Sequence, residues 1–241
     1  MHAYDMLADG DRVLIAVSGG VDSLVLAWVL HHWRRKAPIV YDAAAIHVDM
    51  APKDGSPGTT ALQVVSLLDQ LHINVQVVSA ARQPPADSRQ AEPSGVCFQC
   101  ARARRNQLFE FARRHDFTKV ALGHHRDDLI ETFFLNFTCA GNISTMVPKQ
   151  ELFSGRLTLI RPLAYLEKSE IETIADRLDV KPVPSQCPLS EKSRRRDIHQ
   201  LLEKVYEKIP GAKEHMFSAL TNVRHDYLLK PLIGKQHANK S

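Results

Sequence analysis

The sequence predicts an α/β fold: a parallel sheet with helices on both faces, followed by a small C-terminal helical extension. Three observations carry this reading. Apolar runs bounded by turn signals recur near residues 12–17, 40–48, 74–79, 118–122 and 157–161, helical patterns lie between them, and nothing strand-like follows residue 166. That alternation marks βαβ units, whose right-handed crossovers bring the strand ends to one edge, where ligands of open α/β sheets sit. The 241 residues suit one such domain, long enough to bury roughly 70% of the unfolded surface.

The first strand, 12–17, is an apolar run closed by Ser18-Gly-Gly-Val-Asp-Ser23, after which Leu24, Leu26, Ala27, Val29 and Leu30 trace a helix over 22–35. A buried strand gives rigidity, and glycines let the main chain approach a ligand. The first amides of the next helix lack partners, so the turn reads as a phosphate site. Ser18 and Ser23 add hydroxyl donors. The spacing lacks the lysine of G-x-x-x-x-G-K-S/T and the third glycine of the dinucleotide fingerprint.

The second strand closes with His47-Val48-Asp49, beside the first loop; Asp49 is a candidate for adenosine contact or a turn former. Residues 50–58 read as a loop and 59–72 as a helix. After the third strand, 80–96 reads as a functional loop before a helix over 98–115. The fourth strand leads into Gly123-His-His-Arg-Asp-Asp128 and a helix over 126–139. Asp127 and Asp128 have two readings there: they complement the helix dipole and cap amides, or one holds Mg²⁺ against phosphate. His124 and His125 diverge as neighbours and do not form a zinc pair. Arg161 ends the fifth strand as polar lining of the cleft. Helices follow over 167–178 and 191–208 and beyond 211, the prolines of 181–188 break the pattern, and 234–241 fray. The division is thus 1–165 for the nucleotide domain and 166–241 for a helical extension packed on it.

Formal charge is only +4, yet Arg102, Arg104, Arg105, Arg113 and Arg114 crowd one segment and Arg194, Arg195 and Arg196 another. Local basic patches of this kind meet phosphate backbones. The N-terminus has no basic segment joined to an apolar one, and no apolar run approaches about 18 residues, so a soluble, cytoplasmic protein with no membrane partner is expected. Of the four cysteines, Cys139 reads as a small buried hydrophobe. Cys97-Phe98-Gln99-Cys100 stands at the entrance to the arginine-rich helix, and Cys187 lies in a proline-bracketed segment. The pair alone fits disulfide exchange, zinc or a cluster; adding Cys187 gives the three thiolates of a [4Fe-4S] centre with one iron open.

Ser18-Gly-Gly-Val-Asp-Ser23, Cys97-x-x-Cys100 with Ala-Arg-Ala-Arg-Arg, Ala121-Leu-Gly-His-His-Arg-Asp-Asp128, Ile160-Arg-Pro-Leu163 and Met216-Phe-Ser-Ala-Leu-Thr-Asn-Val223 together resemble the tRNA 2-thiocytidine synthetases. These belong to the PP-loop ATP-pyrophosphatase superfamily, with its adenine nucleotide alpha-hydrolase-like fold, and the likeness spans about residues 11–223. The resemblance implies an ATP-dependent tRNA sulfurtransferase that adenylates a cytidine C2 carbonyl and inserts sulfur. It implies ATP at Ala16, Ser18, Gly19, Gly20, Asp22, Ser23, His47, Asp49 and Gly123, and catalytic roles for Asp22, Asp127 and Asp128, with Mg²⁺ at Asp128. A [4Fe-4S] cluster would sit on Cys97, Cys100 and Cys187, tRNA on Arg102, Arg105 and Arg195, and sulfur would come from a cysteine desulfurase or another sulfide donor. Oligomeric state stays open, a homodimer included. The chain departs from the family at Val21, where lysine is usual, and at Cys187, which has no second Cys-x-x-Cys around it. Three alternatives remain: a uridine thiolase with a persulfide cysteine, a lysidine-type ligase or amidotransferase, and an ATP-binding module without chemistry.

Overall fold

The computed structural model describes residues 1–81, 93–184 and 194–229, the side chains of 93–98 excepted. Six strands form one sheet: β1 (Arg12–Ala16), β2 (Asp42–Asp49), β3 (Val75–Ser79), β4 (Lys119–Ala121), β5 (Lys149–Leu152) and β6 (Leu157–Ile160), in the order β3-β2-β1-β4-β6-β5. Five of them run parallel, with Val13 level with Ala43 on one side and Lys119 on the other. The helices are α1 (Val21–Trp33), α2 (Thr59–Gln70), α3 (Pro93–Arg114), α4 (Arg126–Cys139), α5 (Lys168–Arg177), α6 (Arg194–Lys208) and α7 (Ala212–Ala219).

Alternate strand residues build two cores. Val13, Ile15 and Val17 bury against Leu24, Leu26 and Leu30 of α1 and Ile171 of α5, while Leu14, Ile46 and Val120 bury against Leu108 and Ala112 of α3. Each fully buried Leu or Ile contributes roughly 1.5–3 kcal/mol, so both faces of the sheet are firmly covered. A third cluster joins Ile130 of α4 to Ile198 and Leu202 of α6, with Met216 and Phe217 of α7 packed on it.

The parallel reading needs two corrections. β5 pairs antiparallel with β6 through a turn in which Phe153, Ser154 and Gly155 all have positive φ. Its Lys-Gln-Glu-Leu composition is that of a polar edge strand, with no apolar run to announce it. The helix expected over 98–115 begins five residues earlier, at Pro93, a residue suited to the first helical position. Cys97 therefore lies within its opening turns together with Cys100, instead of ahead of them. Cys187 and residues 234–241 lie outside the described residues.

Candidate active site

From β1 the chain turns toward β2 and β3, whereas β4 and β6 lie on β1's other side. The crevice beyond the carboxyl ends of β1 and β4 is thus the topological switch point of the sheet. Two loops meet there. Ser23 Oγ accepts the Ser18 amide at 3.0 Å, donates to the Gly20 carbonyl at 2.8 Å and lies 3.1 Å from Ser18 Oγ, while Gly20 N–H donates to Ser18 Oγ at 3.3 Å. Both serines are thereby spent on shaping the loop. Among the described residues, the amides of Gly19, Val21 and Asp22 have no acceptor, and they open the first turn of α1 toward an anion. The second loop comes within touching distance: a Cβ on Gly123 would stand 3.0 Å from the Asp22 carbonyl and 3.1 Å from Ser23 N. Ala16 ends β1 beneath the first loop.

The acids of the two loops are cross-linked. Lys168 Nζ donates to Asp22 Oδ1 at 2.5 Å and Lys168 N–H to Asp127 Oδ2 at 3.1 Å. Lys213 pairs with Asp127, and Arg195 Nη2 with Asp128 Oδ1 at 2.7 Å. Asp128 Oδ2 also accepts the His125 amide at 2.9 Å, so the capping reading of that residue is realised. His125 lies in the middle, its Nε2 3.4 Å from Asp128 and 3.9 Å from Asp22, its Nδ1 3.3 Å from Asp127. Burial opposes its charge, but the three carboxylates outweigh burial and raise its pKa. Burial would raise Asp127 in turn, yet His125 and Lys213 hold it well below the ordinary carboxylate range.

The flanking residues differ from expectation in instructive ways. Asp49 is 1% exposed and accepts the Ala51 and Gly58 amides at 3.0 and 2.7 Å, so it closes its own loop and is a turn former instead of an adenosine contact. His47, 4% exposed, donates from Nδ1 to the Val17 carbonyl at 2.8 Å, which leaves Nε2 as a buried acceptor without a partner among the described residues. Arg161 does not line the cleft openly; it is buried, donating to His124 Nδ1 at 3.3 Å and to the Val147 carbonyl. Arg195, expected on tRNA phosphates, is committed inside the chain to Asp128 and to Glu131 at 2.8 Å. Arg102 and Arg105 are exposed on α3. Gln107 of α3 donates to the Ser79 carbonyl at 2.7 Å and accepts the Ala81 amide at 2.9 Å, which holds the helix that carries Cys100 at the carboxyl end of β3. The Cys97 side chain lies outside the described residues, and Cys139 is exposed, not buried. Lys168 and Lys213 were not legible as site residues.

Burial pushes the His124 imidazole down to about 4, and burial also lowers His47. Both are neutral in the fold, whereas an unfolded histidine titrates near about 6.5. The unfolded chain binds more protons between these values, so stability is fully present above pH ~6.5 and is lost as pH falls toward 4. His125 has the opposite sign, since its stabilisation fades as pH rises through its raised value. The expected result is that the urea midpoint drops between pH 7 and pH 4.5, and that His124→Asn drops less, by on the order of 2 kcal/mol. Equal drops in the two proteins would show that His124 does not titrate in this window.

The family model of the PP-loop domain matches residues 2–203. The tRNA-cytidine(32) 2-sulfurtransferase of Pseudomonas syringae pv. syringae is 34% identical over 226 residues, covering 93% of this chain and 81% of its own length. The enzyme of the same name from Aliivibrio fischeri is also 34% identical, covering 93% of this chain and 72% of its own. Among solved structures, the U34-tRNA thiolase NcsA from Methanococcus maripaludis with its [4Fe-4S] cluster superposes with a TM-score of 0.71 at 22% identity, over 90% of this chain and 73% of that one. NAD⁺ synthetase from Burkholderia pseudomallei superposes with a TM-score of 0.50 at 16% identity, over 91% of this chain and 83% of that one. Both share the fold described above. On its loops, its sheet order and these likenesses, the chain belongs to the PP-loop domain family and, within it, to the tRNA-cytidine(32) 2-sulfurtransferases.

Proposed function

We propose that this chain is an ATP-dependent tRNA sulfurtransferase that adenylates the C2 oxygen of a tRNA cytidine and replaces that oxygen by sulfur. The observation that carries the reading is the crevice itself: among the described residues the amides of Gly19, Val21 and Asp22 have no acceptor, and Gly123 comes up against the Asp22 carbonyl and the Ser23 nitrogen of the same turn. A pyrimidine C2 carbonyl is a poor electrophile. Its oxygen attacks the α-phosphate of ATP, the bond to pyrophosphate breaks, and the base becomes a C2–O–AMP ester. Sulfide then adds to C2, and AMP leaves with the oxygen.

The loop amides and the first turn of α1 hold the departing pyrophosphate, and this is electrostatic stabilisation by groups already in place. His47 Nε2 supplies a buried acceptor beside the first loop, suited to an amino group of the adenine. Asp22 and Asp128 would hold the Mg²⁺ that accompanies ATP, which would supply charge neutralisation at the phosphates. Asp22 is the readier of the two, because among the described residues it engages only Oδ1, with Lys168, whereas both oxygens of Asp128 serve the His125 amide and Arg195.

The chain that leads toward Cys187 passes this edge. Val183 N–H donates to the Gly19 carbonyl at 3.0 Å, and Cys187 is four residues on, a span of at most roughly 14 Å. Gln107, about two turns beyond Cys100 in α3, donates to the Ser79 carbonyl at the carboxyl end of β3. Cys97, Cys100 and Cys187 would hold the [4Fe-4S] cluster here, and that group offers an open iron for sulfide. Exposed Arg102 and Arg105 would hold phosphates of the tRNA strand, while the target base leaves its stack. The helices beyond 166 pack on the nucleotide domain and complete its edge. Among the described residues, no helix is long and apolar enough to cross a membrane, in keeping with work in the cytoplasm on tRNA with a desulfurase or free sulfide as donor.

The test is anaerobic incubation of the full chain with tRNA, ATP and sulfide, followed by mass spectrometry of the nucleosides. 2-Thiocytidine with one AMP per sulfur is the expected outcome. 2-Thiouridine would point to the uridine branch, and an active, colourless, iron-free preparation would remove the cluster.

A further inference from the structure

Lys168 occupies a position that the capping of α5 does not require. Its backbone N–H bonds Asp127 of the second loop and its ammonium bonds Asp22 of the first, so the residue straddles the mouth of the crevice. An ammonium has three donors. Among the described residues only Asp22 Oδ1 accepts from this one, and the side chain keeps about a third of its surface exposed. The first loop itself brings no cation: between Ser18 and Ser23 the one charged residue is Asp22, whose sign repels phosphate. A triphosphate laid on the amides of Gly19, Val21 and Asp22 would therefore meet the Asp22 carboxylate together with the ammonium already bonded to it, a protein cation at the loop beside any Mg²⁺ that ATP brings. Lys213 and Arg195 are placed otherwise, on Asp127 and Asp128.

We propose that Lys168 is a phosphate ligand of the nucleotide site, held on Asp22 in the free protein and shared with the β- and γ-phosphates when ATP enters. This rests on the nucleotide reading of the crevice given above. The interaction is a charge-assisted hydrogen bond to a flexible point charge, of the kind lysine makes with phosphate. It changes the binding of the pyrophosphate part of ATP and leaves AMP largely untouched.

Equilibrium titration of the full chain with α,β-methylene ATP and with AMP, in the presence of Mg²⁺, tests it. Lys168→Met should weaken the ATP analogue at least tenfold more than AMP, a separation of about 1.4 kcal/mol, and Lys168→Arg should recover most of the loss. The backbone bond to Asp127 survives both substitutions. Lys36→Met, which removes the same charge beyond the far end of α1, should give no such separation. A separation smaller than tenfold in Lys168→Met, or an equal one in Lys36→Met, overturns the proposal. Failure of the parent protein to bind either nucleotide would instead overturn the nucleotide reading itself.

Discussion

A Cys100→Ser protein binds ATP as the parent does and forms at least about a hundredfold less 2-thiocytidine. Serine keeps the shape of cysteine but offers a hard hydroxyl in place of a soft thiolate, so a metal centre loses a ligand while α3 keeps its packing. Cys100 is half-buried in the opening turns of that helix. The phosphate loop, by contrast, is built from Ser18, Ser23 and main-chain atoms that do not touch it. Cys139 is the matched control. Its exposed thiol lies at the end of α4, where Thr138 and then Arg194 lower its pKa, and Cys139→Ser should retain full activity. Nucleoside mass spectrometry, iron content and nucleotide titration separate the outcomes. Full activity in Cys100→Ser would transfer the chemistry away from the cysteines, and loss of ATP binding would make the residue structural.

Gly19→Ala should lower stability by about 2–5 kcal/mol and nucleotide affinity by more than tenfold. Gly19 has φ +94, and a Cβ there would stand 2.9 Å from Val64 Cγ2 and 3.4 Å from Val183 Cβ. The backbone conformation costs an L-residue roughly 1–2 kcal/mol and the overpacking about 1–3 more. Val64 is fully buried in the main core and cannot retreat cheaply. Relief must come from the loop, whose amides then lose their common aim, or from Val183, whose N–H bond to Gly19 is then lost. Gly10→Ala isolates the backbone part, since φ is +80 there with no atom within 4 Å of the new methyl group. That variant should lose only the smaller amount, with nucleotide binding unchanged. Urea unfolding of both proteins measures the difference, and equal losses would show that the close approach is unimportant.

The parallel strands were legible because their apolar runs are continuous and bounded, and α4 was readable to its ends. β5 was hidden, since a short polar edge strand has neither feature. The phosphate loop was legible from its glycines, while the fate of Asp49 depended on the amides of Ala51 and Gly58, which only folding brings to it. Lys168, Arg195 and Lys213 carry a signal that the sequence reading did not use. Each lies in the first turn of its helix, α5, α6 or α7, where a cation opposes the helix dipole. Local rules broken in this way gather at functional sites. Here the three residues face Asp22, Asp128 and Asp127 respectively.

These three pairings also set the order in which the molecule can become competent during synthesis. The acids are contributed by residue 128, but their cations arrive only with residues 168, 195 and 213. A nascent chain with its sheet assembled would still present these carboxylates with only His125 among them. The charge balance of this edge is therefore completed late, once α7 has been synthesised.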